Sequence, residues 1–120
     1  SSAIERRVVN EEEVVGMLKK YGFKRYLLEN NSLSENAMLF SNANMVVGPH
    51  GAGLTDIIFC DGDATVVELS GKKYNTAYKN ISEKKDLNYI HHKCEPRTTD
   101  LYVDVKRLER IIKEAQRRYE

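Results

Sequence analysis

The chain has 120 residues, which is enough for one compact domain and too few for two ordinary ones. Its 19 basic and 18 acidic residues give a formal net charge of +1, so the overall charge offers no argument for a nucleic acid or membrane partner. Hydrophobic residues make up 41% and charged residues 31% of the sequence, which is typical of a globular domain and excludes a disordered chain.

Apolar runs of strand length alternate with helical segments along the whole sequence. Strands are predicted at residues 7–9, 24–29, 45–47, 64–69 and 87–92, with a short extended segment at 101–103. Helices are predicted at residues 11–21, 35–40, 54–59, 74–86 and 105–119. Such alternation implies right-handed crossovers between parallel strands. We therefore predict an α/β fold: one domain, residues 1–120, with a doubly wound Rossmann-like parallel sheet and helices on both faces.

Polar residues and glycine predict where the first two helices begin and end. Asn10 is the expected N-cap of the first helix, with Glu13 in the capping-box position. Gly22 is the expected residue just beyond the last turn of that helix. Ser34 is the expected N-cap of the second helix, with Leu33 as its hydrophobic staple.

A glycine-rich segment follows the strand predicted at residues 45–47, at the edge where open α/β sheets bind their ligands. Residues 48–53 read Gly-Pro-His-Gly-Ala-Gly, and a helix is predicted to begin directly after them. Glycine lets a ligand approach the backbone closely, and the N–H groups at a helix start favour a phosphate. The alternative is a tight turn whose glycines only allow a helix and a strand to pack closely. The predicted anion-binding residues are His50, Gly51, Ala52, Gly53, Leu54 and Thr55.

Charged residues around this segment suggest further contacts to a nucleotide. Residues 26–71 contain no Lys or Arg, so a bound anion would need backbone N–H groups helped by cations from elsewhere. Basic residues lie on either side of this range: Arg6 and Arg7 before it, Lys72 and Lys73 after it. His50 could donate to a phosphate oxygen or act as an acid or base. Glu68, at the end of the strand predicted at 64–69, could accept both hydroxyls of a ribose. The alternative for Glu68 is a salt-bridged acid at a strand end.

Several other kinds of site are disfavoured. The sequence has no GxGxxG, no Walker GxxxxGK(S/T) and no GxSxG, which disfavours a nicotinamide enzyme, a P-loop kinase and a serine hydrolase. No metal-binding quartet is predicted from Cys60, Cys94, His91 and His92. We therefore expect the two cysteines to be unpaired thiols in a reducing, cytoplasmic compartment. Asp61 and Asp63 lie in the turn before the strand predicted at residues 64–69. This turn is at the amino end of the sheet, opposite the edge where ligands bind, so no metal site is predicted. We also find no signal peptide and no apolar run near the roughly 18 residues of a membrane span.

Residues 46–55 (Val-Val-Gly-Pro-His-Gly-Ala-Gly-Leu-Thr) resemble the signature of the family 61 glycosyltransferases. Residues 6–13 look like that family's basic strand leading into an Asn-Glu-rich helix start. Residues 33–43 resemble its segment that begins Leu-Ser and continues to Leu-Phe and Ala, and residues 66–69 resemble its strand ending in a glutamate. The match runs in order over roughly residues 6–108, so it is far more specific than a glycine loop alone.

The resemblance implies an inverting transferase with a GT-B fold, in which two Rossmann-like halves face each other across a cleft. This chain would be the C-terminal half, which binds the nucleotide-sugar donor, with a UDP-sugar as the first choice. An N-terminal half of the same protein would bind the glycan or protein acceptor. His50 would be the catalytic residue, stabilising the departing diphosphate with the amides of residues 51–54 and an arginine, without a metal ion or a cofactor. The implied donor-site residues are Arg6 or Arg7, His50, Gly51, Ala52, Gly53 and Glu68.

One departure and two alternatives qualify this interpretation. The family usually has Asn where this chain has Asp56, and a carboxylate facing the site would repel a diphosphate. Members of the family act in bacterial polysaccharide biosynthesis and in the eukaryotic secretory pathway, so a eukaryotic protein would lie in the secretory lumen instead. The first alternative function is a non-catalytic nucleotide-binding or assembly module with the same fold. The second is a small phosphate-binding enzyme complete in 120 residues.

Overall fold

The computed structural model of the chain describes residues 8–71, 76–97 and 100–120. The α-helices in these ranges are α1 (Glu11–Lys20), α2 (Leu33–Ser41), α3 (Ala77–Lys84) and α4 (Val105–Gln116). The strands are β1 (Met45–Pro49), β2 (Thr65–Ser70), β3 (Asn88–Lys93), β4 (Glu95–Arg97) and β5 (Asp100–Tyr102). Short 3-10 helices cover Leu28–Asn30, Ala52–Phe59 and Arg117–Tyr119.

The three longer strands form a parallel sheet in the order β1-β2-β3, while β4 and β5 pair antiparallel in a separate ladder. One row across the parallel sheet contains Gly48 of β1, Glu68 of β2 and His91 of β3. The predicted α/β fold with a parallel sheet is therefore confirmed. The three strands follow one another in chain order with no reversal among the described strands, so the doubly wound arrangement stays a prediction.

Two hydrophobic clusters contain side chains from alternate positions of β2, because successive residues of a strand point to opposite sides. One cluster joins Val67 and Leu69 to residues of α1 and α4, including Leu108 and Ile112. The other joins Val66 to residues of α2, α3 and the 3-10 helix Ala52–Phe59. β2 is buried along its whole length, as expected for the central strand of a covered parallel sheet. Among the described helices, none has both the length and the apolar character of a membrane span.

The strand predicted at residues 24–29 is wrong. This segment ends in the 3-10 helix Leu28–Asn30, and the side chains of Tyr26 and Leu27 are about half exposed. The amide of Asn36 on α2 donates to the carbonyl of Leu28 at 3.1 Å, so α2 satisfies this backbone instead of a neighbouring strand. The strand predicted at residues 7–9 is reduced, within the described residues, to a single bridge between Val8 and Leu101.

The helix starts also differ from prediction. Asn10 stands before α1, but its side chain forms no capping bond; it donates to the carbonyl of Val103 and accepts from the N–H of Val103, at 2.8 and 3.0 Å. The N-cap of α2 is Ser32, in a reciprocal capping box with Glu35, so the prediction of Ser34 is wrong by two residues. Gly22 follows α1 with a φ of 89°, as predicted.

Candidate functional site

The candidate site lies at the carboxyl edge of the parallel sheet, where β1 ends. His50 directly follows β1, and its backbone N–H donates to the carbonyl of Leu69 on β2 at 2.8 Å. This bond continues the β1–β2 ladder by one residue beyond the end of β1. It fixes the His50 backbone beside the end of β2, near Glu68.

A buried carboxylate holds the His50 side chain. Nδ1 of His50 bonds to one carboxylate oxygen of Glu68, and the Tyr89 hydroxyl donates to the other at 2.5 Å. Glu68 has no exposed side-chain surface, whereas 24% of the His50 side chain is exposed. The imidazole therefore reaches solvent, whereas the carboxylate is enclosed behind it.

Tyr78 of α3 connects this group to the glycine segment. Its hydroxyl donates to the carbonyl of Gly51 at 2.5 Å, and its ring stands edge-on to the His50 imidazole with the ring centroids 4.9 Å apart. Neither Tyr78 nor Tyr89 was predicted as a site residue. Tyr78 stands out as an aromatic residue in an otherwise mainly polar helix, but its contact with Gly51 depends on how α3 packs. Tyr89 requires the β2–β3 register.

The glycines of the segment differ in what they contribute. A Cβ on Gly48 would come within 3.3 Å of the Leu54 side chain, so close packing explains that glycine. A Cβ on Gly51 would meet no described atom within 4 Å, and the Gly51 backbone is extended, with φ 161° and ψ −177°. Neither packing against the described residues nor backbone conformation requires glycine at position 51. A glycine at such a position leaves room for a ligand to approach the backbone closely.

The other predicted anion-binding residues differ in backbone hydrogen bonding and in exposure. The segment continues as a 3-10 helix and not as the α-helix expected, beginning at Ala52 and including Gly53. The N–H of Leu54 donates to the carbonyl of Gly51 at 3.1 Å, so in this arrangement it is used within the turn. Thr55 is exposed and Asp56 is partly buried. The predicted arginines Arg6 and Arg7 lie outside the described residues.

Two further polar side chains lie beside Glu68 on the same side of the sheet. The hydroxyl of Ser70, which is fully buried, bonds to Nε2 of His91. Burial lowers the pKa of His91, and the Glu68 carboxylate acts in the opposite direction. The prediction that His91 is an ordinary polar residue at a strand end missed this placement, because it did not include the register that puts His91 next to Glu68.

The acids of the Asp61-Gly62-Asp63 turn lie at the other edge of the sheet. Asp63 precedes β2, and its carboxylate accepts two bonds from the Arg118 guanidinium, at 2.6 and 3.0 Å. In the described ranges, no three His, Cys, Asp or Glu side chains are grouped so that they could hold a metal ion. Cys60 and Cys94 are both free and buried, and burial raises the pKa of each thiol to about 11.

Comparison with known proteins gives one family. Residues 1–67 match the family described as Glycosyltransferase 61. The EGF domain-specific O-linked N-acetylglucosamine transferase of Drosophila melanogaster is 29% identical over 87 residues, covering 70% of this chain and 17% of that protein. The protein O-linked-mannose beta-1,4-N-acetylglucosaminyltransferase 2 of Xenopus laevis is 35% identical over 99 residues, covering 75% and 17%. A xylan glycosyltransferase of Arabidopsis thaliana is 25% identical over 116 residues, covering 91% and 24%. The chain thus spans less than a quarter of the length of each of these relatives.

Proposed function

The chain belongs to the glycosyltransferase 61 family, and we propose that it is the donor-binding part of an enzyme that transfers a sugar from a nucleotide-sugar to a hydroxyl of a glycan or protein, with inversion at the anomeric carbon. The relatives are all named as sugar transferases, which supports glycosyl transfer as the shared chemistry. The donor, the acceptor and the stereochemistry are our proposals for this chain.

Gly51 carries the proposal. It is a glycine that neither the described packing nor its backbone conformation requires, and it directly follows His50 at the ligand edge of a parallel sheet. A diphosphate that lies against the Gly51 backbone would also lie beside the partly exposed His50 imidazole. Tyr78 supports this geometry, because its hydroxyl anchors the Gly51 carbonyl from the α3 side.

In the mechanism we propose, the acceptor oxygen attacks the anomeric carbon from the face opposite the diphosphate. The carbon–oxygen bond to the diphosphate breaks, and its electron pair moves onto the diphosphate. His50 donates a hydrogen bond to that leaving group, so the interaction strengthens as negative charge develops. We assign the general base that takes the acceptor proton to the acceptor-binding part of the protein.

We further propose that the sheet is part of a doubly wound Rossmann-like half of a GT-B enzyme, with helices on both faces. The two clusters on alternate positions of β2 support this proposal, since α1 and α4 contribute to one, and α2 and α3 to the other. The acceptor-binding half would then face the carboxyl edge of the sheet, where His50 is exposed. We propose a UDP-sugar donor and no divalent cation.

The first test is a titration of the chain with UDP, GDP, CDP and TDP, followed by backbone amide chemical shifts. We expect one nucleotide to shift the amides of residues 50–54 and those around Glu68. Gly51→Val should abolish these shifts or weaken binding at least tenfold, since its side chain would occupy the space left open at position 51.

The matched control is Gly16→Ala on α1, because a Cβ there also meets no described atom within 4 Å and Gly16 is exposed on the helix surface. This variant should bind the nucleotide as the parent chain does. Nucleotide binding that survives Gly51→Val, or amide shifts centred away from residues 50–54, would overturn the proposed site.

A further inference from the structure

Glu68 has a different environment from that of a ribose-binding acid. Its carboxylate is fully buried, and each of its two oxygens bonds to a protein group, His50 on one side and Tyr89 on the other. A buried carboxylate is costly unless such bonds compensate for the lost water. A ribose could reach this carboxylate only if His50 or Tyr89 moved away.

The bond to Glu68 determines which atom of His50 faces the site. With Glu68 as a carboxylate, which only accepts, this bond assigns a proton to Nδ1 of His50. The other ring nitrogen, Nε2, then lies on the side of the ring away from Glu68. Tyr78 packs edge-on against the same ring, which limits its rotation.

Other polar side chains surround the His50–Glu68 pair. Among the described residues they include the hydroxyls of Tyr78 and Tyr89 and the imidazole of His91, which lies next to Glu68 on β3. Glu68 is the only carboxylate in this described set.

We infer that Glu68 is a positioning residue for His50 and not a ribose ligand: it holds the ring so that the Nε2 edge faces the diphosphate of the bound nucleotide. This inference rests on the proposed function. It assigns Tyr89 the supporting role of holding the second oxygen of Glu68. It also explains why a glutamate with no exposed surface stands one strand away from the glycine segment.

Inorganic pyrophosphate distinguishes the two roles, because it has the diphosphate but no ribose. Calorimetric titrations of the chain would use pyrophosphate and the nucleoside diphosphate that binds tightest of the four above. If Glu68 positions His50, then Glu68→Gln should weaken both ligands by a similar factor, roughly tenfold or more, as expected for loss of a charge-assisted bond. In a His50→Asn background, the same change at position 68 should have little further effect on either ligand.

The ring nitrogens of His50 provide a readout that does not depend on any ligand. The chain has three histidines, so the ¹⁵N signals of His50 can be assigned by their loss in His50→Asn. Glu68→Gln should shift these signals even if the fold is unchanged. Tyr89→Phe, which leaves the His50–Glu68 bond in place, should cause a smaller shift and a smaller loss of both ligands.

The outcomes separate this inference from the proposed function. If Glu68→Gln weakens the nucleotide but not pyrophosphate, Glu68 binds ribose and the inference is wrong while the proposed function stands. Unchanged ¹⁵N signals of His50 in Glu68→Gln would also overturn the inference. A parent chain that binds none of the four nucleotides would instead overturn the proposed function.

Discussion

The imidazole of His92 is buried, and neither of its nitrogens has a hydrogen-bond partner among the described residues, which is unusual for a polar group in the interior. Its neighbour His91 points to the opposite side of β3 and bonds to Ser70, since successive side chains of a strand alternate. His92 lies beside Leu69, which belongs to the cluster with α1 and α4. Burial lowers the pKa of His92 below its ordinary value, and Arg107 acts in the same direction, opposed by Asp104.

We expect the free energy of unfolding to decrease as the pH falls from 7 to 5. The unfolded chain protonates His92 at its ordinary pKa near 6.5, whereas the folded chain resists protonation, so acid favours unfolding. One histidine can contribute at most about 1.4 kcal/mol per pH unit. Urea denaturation at several pH values measures this slope. Glu35 and Glu109, whose pKa values are lowered by hydrogen bonds in the folded chain, act in the same direction, mainly below pH 5.

His92→Leu should remove part of the slope, because leucine has no proton to gain and leaves no unpaired nitrogen. His91, whose pKa burial also lowers, contributes to the slope that remains. If His92→Leu kept the full slope of the parent chain, the unpartnered imidazole would not be the acid-sensitive group.

The start of α2 depends on a capping box at Ser32. The Ser32 hydroxyl accepts from the N–H of Glu35 at 3.1 Å, and the Glu35 carboxylate accepts from the N–H of Ser32 at 2.8 Å. We expect Ser32→Ala to lower the free energy of unfolding by about 1 kcal/mol, because the first turn of α2 loses an acceptor. Urea denaturation at pH 7 would measure the change.

Ser34→Ala is the matched control for this cap. Ser34 is exposed in the first turn of α2. Among the described residues, its hydroxyl forms a hydrogen bond with the hydroxyl of Ser32. We expect this change to cost less than about 0.5 kcal/mol. If Ser34→Ala lowered the free energy of unfolding more than Ser32→Ala, Ser34 would be the N-cap, as the sequence predicted.

The sequence pattern predicted the three strands of the parallel sheet, but it also predicted a strand at residues 24–29 that the structure lacks. The strand at residues 64–69 was found because it is nearly all apolar, as a strand buried on both sides should be. The strands at residues 45–47 and 87–92 were also found, although they are only partly buried over most of their length. Residues 26–28 are equally apolar, but they are largely exposed, and no pattern in a single sequence distinguishes the two cases. The cap at Ser32 could have been predicted, since Ser32 and Glu35 have the spacing of a capping box.

Within the candidate site, the sequence predicted the residues that are adjacent along the chain and missed those that packing brings together. His50 and Gly51 follow from one motif after one strand. Tyr78 and Tyr89 reach the site only through the position of α3 and the register of β3. Asn10 shows the same limit, because its predicted cap was replaced by two bonds to Val103, which is far away in the sequence.

At the scale of the whole molecule, the C-terminal residues are fixed to the start of the central strand. The Tyr119 hydroxyl donates to the carbonyl of Asp63 at 2.6 Å and lies 2.8 Å from the hydroxyl of Thr65, which is buried. Arg118 forms an ion pair with Asp63, but its side chain is 50% exposed. Both contacts join the 3-10 helix Arg117–Tyr119, which follows α4, to the edge of the sheet opposite His50.

These two contacts should differ in their effect on stability. Tyr119→Phe removes the hydroxyl that pairs with buried Thr65, which should cost about 1–3 kcal/mol because Thr65 then lacks a partner. Arg118→Ala removes an exposed ion pair, which should cost only about 0–1 kcal/mol and less at high salt. Urea denaturation of both variants at low and high salt tests this order. A larger, salt-independent cost for Arg118→Ala would mean that the ion pair, and not the tyrosine hydroxyl, attaches the C-terminal residues to the sheet.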